Sequence, residues 1–122
     1  MTRKILIVDD SSALRQSISY ILRQEGYETI EAADGLLGLE AAGLHPNQDL
    51  IITDVNMPNL DGIGFIRRVR EMAGYRHTPI LVLTTESQGT KLSEGKEAGA
   101  TGWIVKPFSA EKLLATVRKV IG

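Results

Sequence analysis

The sequence contains no cysteine, which excludes a disulfide framework and a thiolate metal site. It has two histidines, so a zinc site would have to use His45 and His77, both in predicted loops and best read as surface residues. No apolar run is long enough to span a bilayer. The N-terminus, Met1 to Lys4, leads straight into a predicted strand with no signal-peptide core, so the cytoplasm is the expected location. Neither charge is in excess, with 14 Lys and Arg against 15 Asp and Glu, and nothing suggests a nucleic-acid stripe or a polybasic membrane patch. No glycine-rich turn follows the first apolar run, which argues against a dinucleotide site, and Gly35, Gly38 and Gly64 do not make a phosphate-cradling loop. Repeats, low-complexity segments and linkers are also missing.

What is there fits one domain. The 122 residues can bury a real core, and 43% hydrophobic with 24% charged residues is ordinary for a soluble globular protein. Predicted strands and helices alternate throughout. The strands are Ile5 to Val8, Glu28 to Ala32, Leu50 to Asp54, Ile80 to Thr84 and Trp103 to Val105. Ser11 or Ser12 caps the first helix, whose Leu14, Ile18, Ile21 and Leu22 form one stripe and which Gly26 stops. Asp34 caps a second helix, expected to be weak because it holds Gly35 and Gly38, and ended by Gly43 and the His45-Pro46-Asn47 turn. Asp61 caps the third, with Phe65, Ile66, Val69 and Met72 facing inward. Ser87 caps a loosely held fourth that runs to about Ala98, with Leu92 its chief apolar residue. Ser109 caps the last, with Ala110, Leu113, Leu114, Val117 and Ile121 facing inward. Such alternation predicts an α/β fold, a parallel sheet flanked by five helices. Of the two common doubly wound strand orders, the shorter chain favours 2-1-3-4-5, with the first and third strands side by side at the switch point.

The polar groups follow a pattern. The first strand runs into Asp9-Asp10, the third ends on Asp54, the fourth on Thr84-Thr85, and the fifth runs into Lys106-Pro107. Side by side, these strands put three carboxylates, a hydroxyl and an ammonium at one sheet edge. Like charges about 4 Å apart repel by roughly 4 kcal/mol at an effective dielectric of 20, so the carboxylates need a cation, or one must hold a proton. Hard oxygens at a solvent-facing edge suit Mg²⁺. A carboxylate can attack phosphorus, and Asp54 is the best nucleophile candidate, with Lys106 and Thr84 placed to hold phosphoryl oxygens. The Lys106–Pro107 bond is a candidate cis peptide, which would fix the loop that aims the lysine.

The set Val8-Asp9-Asp10, Asp54 with Met57-Pro58 and Asp61-Gly62, Thr84, and Lys106-Pro107-Phe108 resembles the receiver domain of two-component response regulators. The resemblance covers essentially all of residues 1–122 and carries the 2-1-3-4-5 order too, so that order rests partly on it. Leu83-Thr84-Thr85-Glu86-Ser87 and the stretch from Gly102 to Phe108 are similar to single-domain chemotaxis receivers of the CheY type. The resemblance implies that Asp54 is phosphorylated from the phosphohistidine of a sensor histidine kinase, of chemotaxis type. It implies that Asp10, Asp54 and the backbone carbonyl of Asn56 ligate Mg²⁺ directly, Asp9 mainly through water. It implies that Thr84 moves toward the phosphoryl group and that the aromatic at Trp103 turns inward, changing the face made by the fourth helix, fifth strand and fifth helix. The resemblance further implies that Asn56 and Glu86 hold positions that tune the lifetime of the phosphoryl group. The chain ends with its fifth helix, so output is expected by docking on a target such as a flagellar motor switch component, with a phosphatase as a further partner.

Two positions depart from the family's common pattern. Trp103 stands where Tyr or Phe is usual, and its indole N–H needs a partner when buried; its alternative role is core filler. Thr85 stands where a small residue is usual and can crowd the site. Two other functions share these residues: a haloacid-dehalogenase-like phosphohydrolase with Asp9 as nucleophile, disfavoured by the adjacency of Asp9 and Asp10 and by the lack of room for a cap, and a phosphate sink or relay intermediate.

Overall fold

In the computed structural model, which describes residues 2–85 and 89–122, the apolar runs form strands β1 (Lys4–Val8), β2 (Glu28–Ala32), β3 (Leu50–Asp54), β4 (Ile80–Thr84) and β5 (Gly102–Val105). Between and after them run α1 (Ser12–Gln24), α2 (Gly35–Leu44), α3 (Gly62–Arg70), α4 (Gly89–Ala98) and α5 (Ala110–Ile121). All strand pairs are parallel, in the order β2-β1-β3-β4-β5. The register sets Val8 opposite Thr53, Asp54 opposite Leu83 and Thr84 opposite Val105. Strands β1, β3, β4 and β5 therefore end nearly level, and their C-terminal loops emerge at a common edge.

The two-residue period of a strand splits the core into two layers. Ile5, Ile7, Leu50, Ile52, Leu81 and Leu83 pack with Ile18 and Leu22 of α1 and with Leu113, Val117 and Ile121 of α5. Leu6, Val8, Ile51, Ile80 and Val82 pack on the other side with Ala42 of α2 and with Phe65, Ile66 and Val69 of α3. Burying a side chain such as Ile18 or Phe65 completely contributes about 1.5–3 kcal/mol, so these stripes, more than helix propensity, hold the helices in place.

Ser11, Asp34, Asp61 and Ser109 cap their helices by accepting from the backbone N–H three residues on. Ser87 lies outside the described residues. Two expectations need correction. Gly43 does not end the second helix; α2 continues through it to Leu44, with His45 at the C-cap and Asn47 making the turn at φ +67°. Ala110 does not face inward; it is exposed in the first turn of α5, where the chain is still approaching the sheet. Met72 packs against the core from just beyond the end of α3. Helix α4 buries only Gly95 among its described residues, as its scarcity of large apolar side chains suggested. At the edge remote from the acidic residues, the Arg70 guanidinium donates to the carbonyl oxygens of Tyr75, Thr78 and Gly99 at 2.6–2.7 Å. It thereby ties the end of α3 to the start of β4 and the end of α4.

Candidate functional site

Strand β1 delivers Asp9 and Asp10 to the sheet edge, and β3 delivers Asp54 beside them. One carboxylate oxygen from each lies within 4.8 Å of the other two. Asp9 is 1% exposed and Asp54 8%, whereas Asp10 is open to solvent. Asp9 Oδ1 accepts the Ser11 N–H at 2.8 Å. Its Oδ2 is buried with no hydrogen-bond partner among the described residues, the situation of an acceptor that lacks a cation or a proton. Burial pushes the Asp9 carboxyl above its ordinary range, and the charges of Asp54 and Asp10 push the same way; the Ser11 N–H and the Lys106 ammonium oppose them.

Asp54 Oδ1 accepts from the Val55 N–H at 2.8 Å and from Lys106 Nζ at 3.2 Å. Lys106 reaches across from the end of β5, and the Lys106–Pro107 peptide is cis. Thr84 is fully buried at the end of β4, its hydroxyl donating to the Thr85 carbonyl oxygen at 3.2 Å, and Thr85 is exposed beside it. Asn56 is exposed in the loop after Asp54. Trp103 is 45% exposed on β5, so it is not core filler in this structure. Glu86 lies outside the described residues.

The loop after β3 doubles back tightly. The Gly62 N–H donates to the Val55 carbonyl at 2.8 Å, and a Cβ at Gly62 would overlap the Asp54 carbonyl oxygen. Only glycine allows that approach, which accounts for Asp61-Gly62 at this place. Three contacts here go beyond the sequence reading. Arg15 donates to the Asp9 carbonyl at 2.6 Å and pairs with Glu31 at 3.2 Å, steadying the backbone of the acidic pair. Asp34, read only as a helix cap, also accepts from the Asn59 side-chain amide at 2.7 Å. The one trace of that second bond in the sequence is an asparagine after Pro58, a residue tolerant of the left-handed backbone found there, φ +69°.

His45 and His77 are exposed and take no part in this site. Among the described residues no helix is long and apolar enough to cross a membrane.

Residues 5–118 match the response regulator receiver domain family. Among curated proteins, the chain is 41% identical over 119 residues to the chemotaxis protein CheY of Pseudomonas aeruginosa, covering 96% of this chain and 94% of that one. It is 40% identical to the transcriptional regulatory protein PdtaR of Mycobacterium tuberculosis, covering 98% of this chain but 57% of that longer protein. Among solved structures, the chemotaxis protein CheY4 of Vibrio cholerae superposes with a TM-score of 0.93 at 48% identity, covering 98% of this chain and 99% of that one. The receiver domain of the sensor histidine kinase PA1611 of Pseudomonas aeruginosa, solved with a magnesium ion coordinated in its active site cleft, gives a TM-score of 0.90 at 29% identity and covers 100% of this chain and 99% of that one. By sequence and by fold, this chain belongs to the receiver domains of two-component response regulators.

Proposed function

We propose that residues 1–122 act as one phosphoacceptor switch, in which Asp54 takes a phosphoryl group from the phosphohistidine of a sensor histidine kinase and the loaded molecule docks on a downstream protein. The observation that carries this reading is the setting of Asp54: a nearly buried carboxylate with Lys106 on one oxygen and two further carboxylates within 4.8 Å.

The donor set fits Mg²⁺. It consists of hard oxygens at a sheet edge, one of them the buried and unpartnered Asp9 Oδ2. Asp10, Asp54 and the backbone carbonyl of Asn56 would hold the ion directly, and Asp9 mainly through water. When bound, it neutralises oxygens of the carboxylate and the phosphoryl group.

In the transfer, an Asp54 oxygen bonds to phosphorus as the P–N bond to the kinase histidine breaks, and the electron pair of that bond goes to the imidazole nitrogen. The product is an acyl phosphate. Oδ1 already accepts from Val55 and Lys106, which holds the carboxylate in place for the transfer. Lys106 then steadies a phosphoryl oxygen as a point charge, and the Thr84 hydroxyl turns to donate to another. The aromatic at Trp103 then turns inward, as the family resemblance implies, and changes the face made by α4, β5 and α5. Asn56 and Glu86 set how long the acyl phosphate survives, and Thr85 narrows the approach to it. The names of several relatives favour chemotaxis. The family resemblance adds a chemotaxis-type kinase as donor, a flagellar motor switch component as target and a phosphatase to reset the switch, with the cytoplasm as the expected place.

The competing phosphohydrolase would use Asp9. Its burial, its bond to Ser11 and the seating of Lys106 on Asp54 instead weigh against that. Loading the protein with a small-molecule phosphodonor and Mg²⁺, then locating the hydroxylamine-labile adduct by mass spectrometry, tests the assignment. The label should fall on Asp54, and Asp54→Asn should abolish it. Normal loading of that variant, or a label on Asp9 with multiple turnovers, would remove the assignment.

A further inference from the structure

We infer that Asp34 and Asn59 are positioning residues for the metal site, acting through the loop that carries Asn56. This rests on the reading that the Asp9, Asp10 and Asp54 cluster takes Mg²⁺ with help from the Asn56 carbonyl.

That loop, 55–61, is fastened at two places. Its inner end is fixed by the Val55 N–H on Asp54 Oδ1 and by the Gly62 N–H on the Val55 carbonyl. Its outer end is fixed to the start of α2: Asp34 Oδ2 accepts from Asn59 Nδ2 at 2.7 Å, and the Leu60 carbonyl accepts from the Gly35 N–H at 3.1 Å. A Cβ at Gly35 would overlap that carbonyl, so the two backbones could not approach this closely with any other residue there. Asn56 sits between the two fastenings, exposed, with no side-chain hydrogen bond of its own among the described residues.

Capping α2 needs only one carboxylate oxygen, and Asp34 gives Oδ1 to the Leu37 N–H at 2.8 Å. Its second oxygen goes to Asn59, at 7% exposure and with no cation paired to it among the described residues. A charge-assisted bond in that setting is stronger than a neutral one. It holds Asn59 at φ +69°, a conformation that a side chain other than Asn, Asp or Gly adopts at some cost. The bridge therefore fixes where the loop turns, and so where the Asn56 carbonyl points before any ion arrives. A metal that demands near-ideal oxygen geometry is sensitive to that preorganisation.

The test uses Mg²⁺ alone, titrated into the unphosphorylated full chain by calorimetry. Asn59→Gly keeps the positive φ available and removes only the amide; Asp34→Ser keeps a helix cap and removes the second oxygen. Each should weaken Mg²⁺ binding by about tenfold, the loss of one hydrogen bond to a charged group. The double variant should be no weaker than either single one, because both break the same bridge. Phosphodonor labelling of Asp54 in Asn59→Gly should return to the parent rate at saturating Mg²⁺, which a misfolded site would not do. Parent-like Mg²⁺ affinity in Asn59→Gly, or additive losses in the double variant, would overturn the inference while leaving Asp54 as acceptor. A parent protein that binds no Mg²⁺ would overturn it together with the metal reading.

Discussion

Asp9 shows how a single residue carries the cost of the site. Its carboxyl is pushed up from the usual 3.8, so the folded chain holds that proton more tightly than the unfolded chain does. Stability from this group is then full below about 3.8 and is lost as pH rises through the raised value. Removing the charge should remove the slope. With a chelator present, Asp9→Asn is expected to melt higher than the parent at pH 7 and to show no such gain at pH 3, where the parent Asp9 is already protonated. Equal melting temperatures at pH 7 would mean that neighbouring cations already compensate the charge. Gly62 is the other residue of this kind: its missing side chain leaves room for the Asp54 carbonyl.

Helix α2 sets packing beside a propensity argument. Its three glycines point to a weak helix when read by intrinsic preference. Two of them, however, are places where neighbours come close. A Cβ at Gly38 would lie 2.8 Å from Phe65 Cε1, and one at Gly35 would overlap the Leu60 carbonyl oxygen. Gly43 differs, since a Cβ there would meet only Met72 Cε, at an ordinary 3.8 Å. Gly43→Ala should therefore stabilise the protein by about 0.5–1 kcal/mol, and Gly38→Ala should destabilise it by about 1–3 kcal/mol, both read by urea unfolding. The same effect on both would show that helix preference, not crowding, decides at these positions. The caps at Ser11, Asp34, Asp61 and Ser109 were legible in the sequence because capping is local: a side chain meets a backbone three residues away. Gly38 against Phe65 was not, because it joins two helices whose mutual approach no short window of sequence contains.

At the scale of the molecule, the parallel sheet and the meeting of Asp9, Asp10 and Asp54 were legible because four of the five strand runs end in a polar group, and the strand order rested partly on the family resemblance. Two ties across the fold were not. Asn59 to Asp34 spans 25 positions, and Arg70 to Gly99 spans 29; in each, a polar side chain meets a partner far away in the sequence. Burial lowers the Arg70 guanidinium from its ordinary value, yet the group stays charged at any ordinary pH. Arg70→Met would leave three carbonyls without their donor and should cost about 3 kcal/mol, measured by urea unfolding.

The chemistry of those three acceptors sets how the fold meets acid. Carbonyl oxygens do not titrate in that range, so the grip of Arg70 on Tyr75, Thr78 and Gly99 has no protonation step at which to let go. The loss caused by Arg70→Met should therefore be the same at pH 4 as at pH 7. As acid protonates Asp9, whose burial already favours the proton, the Arg70 clasp at the opposite end of the sheet keeps its full strength.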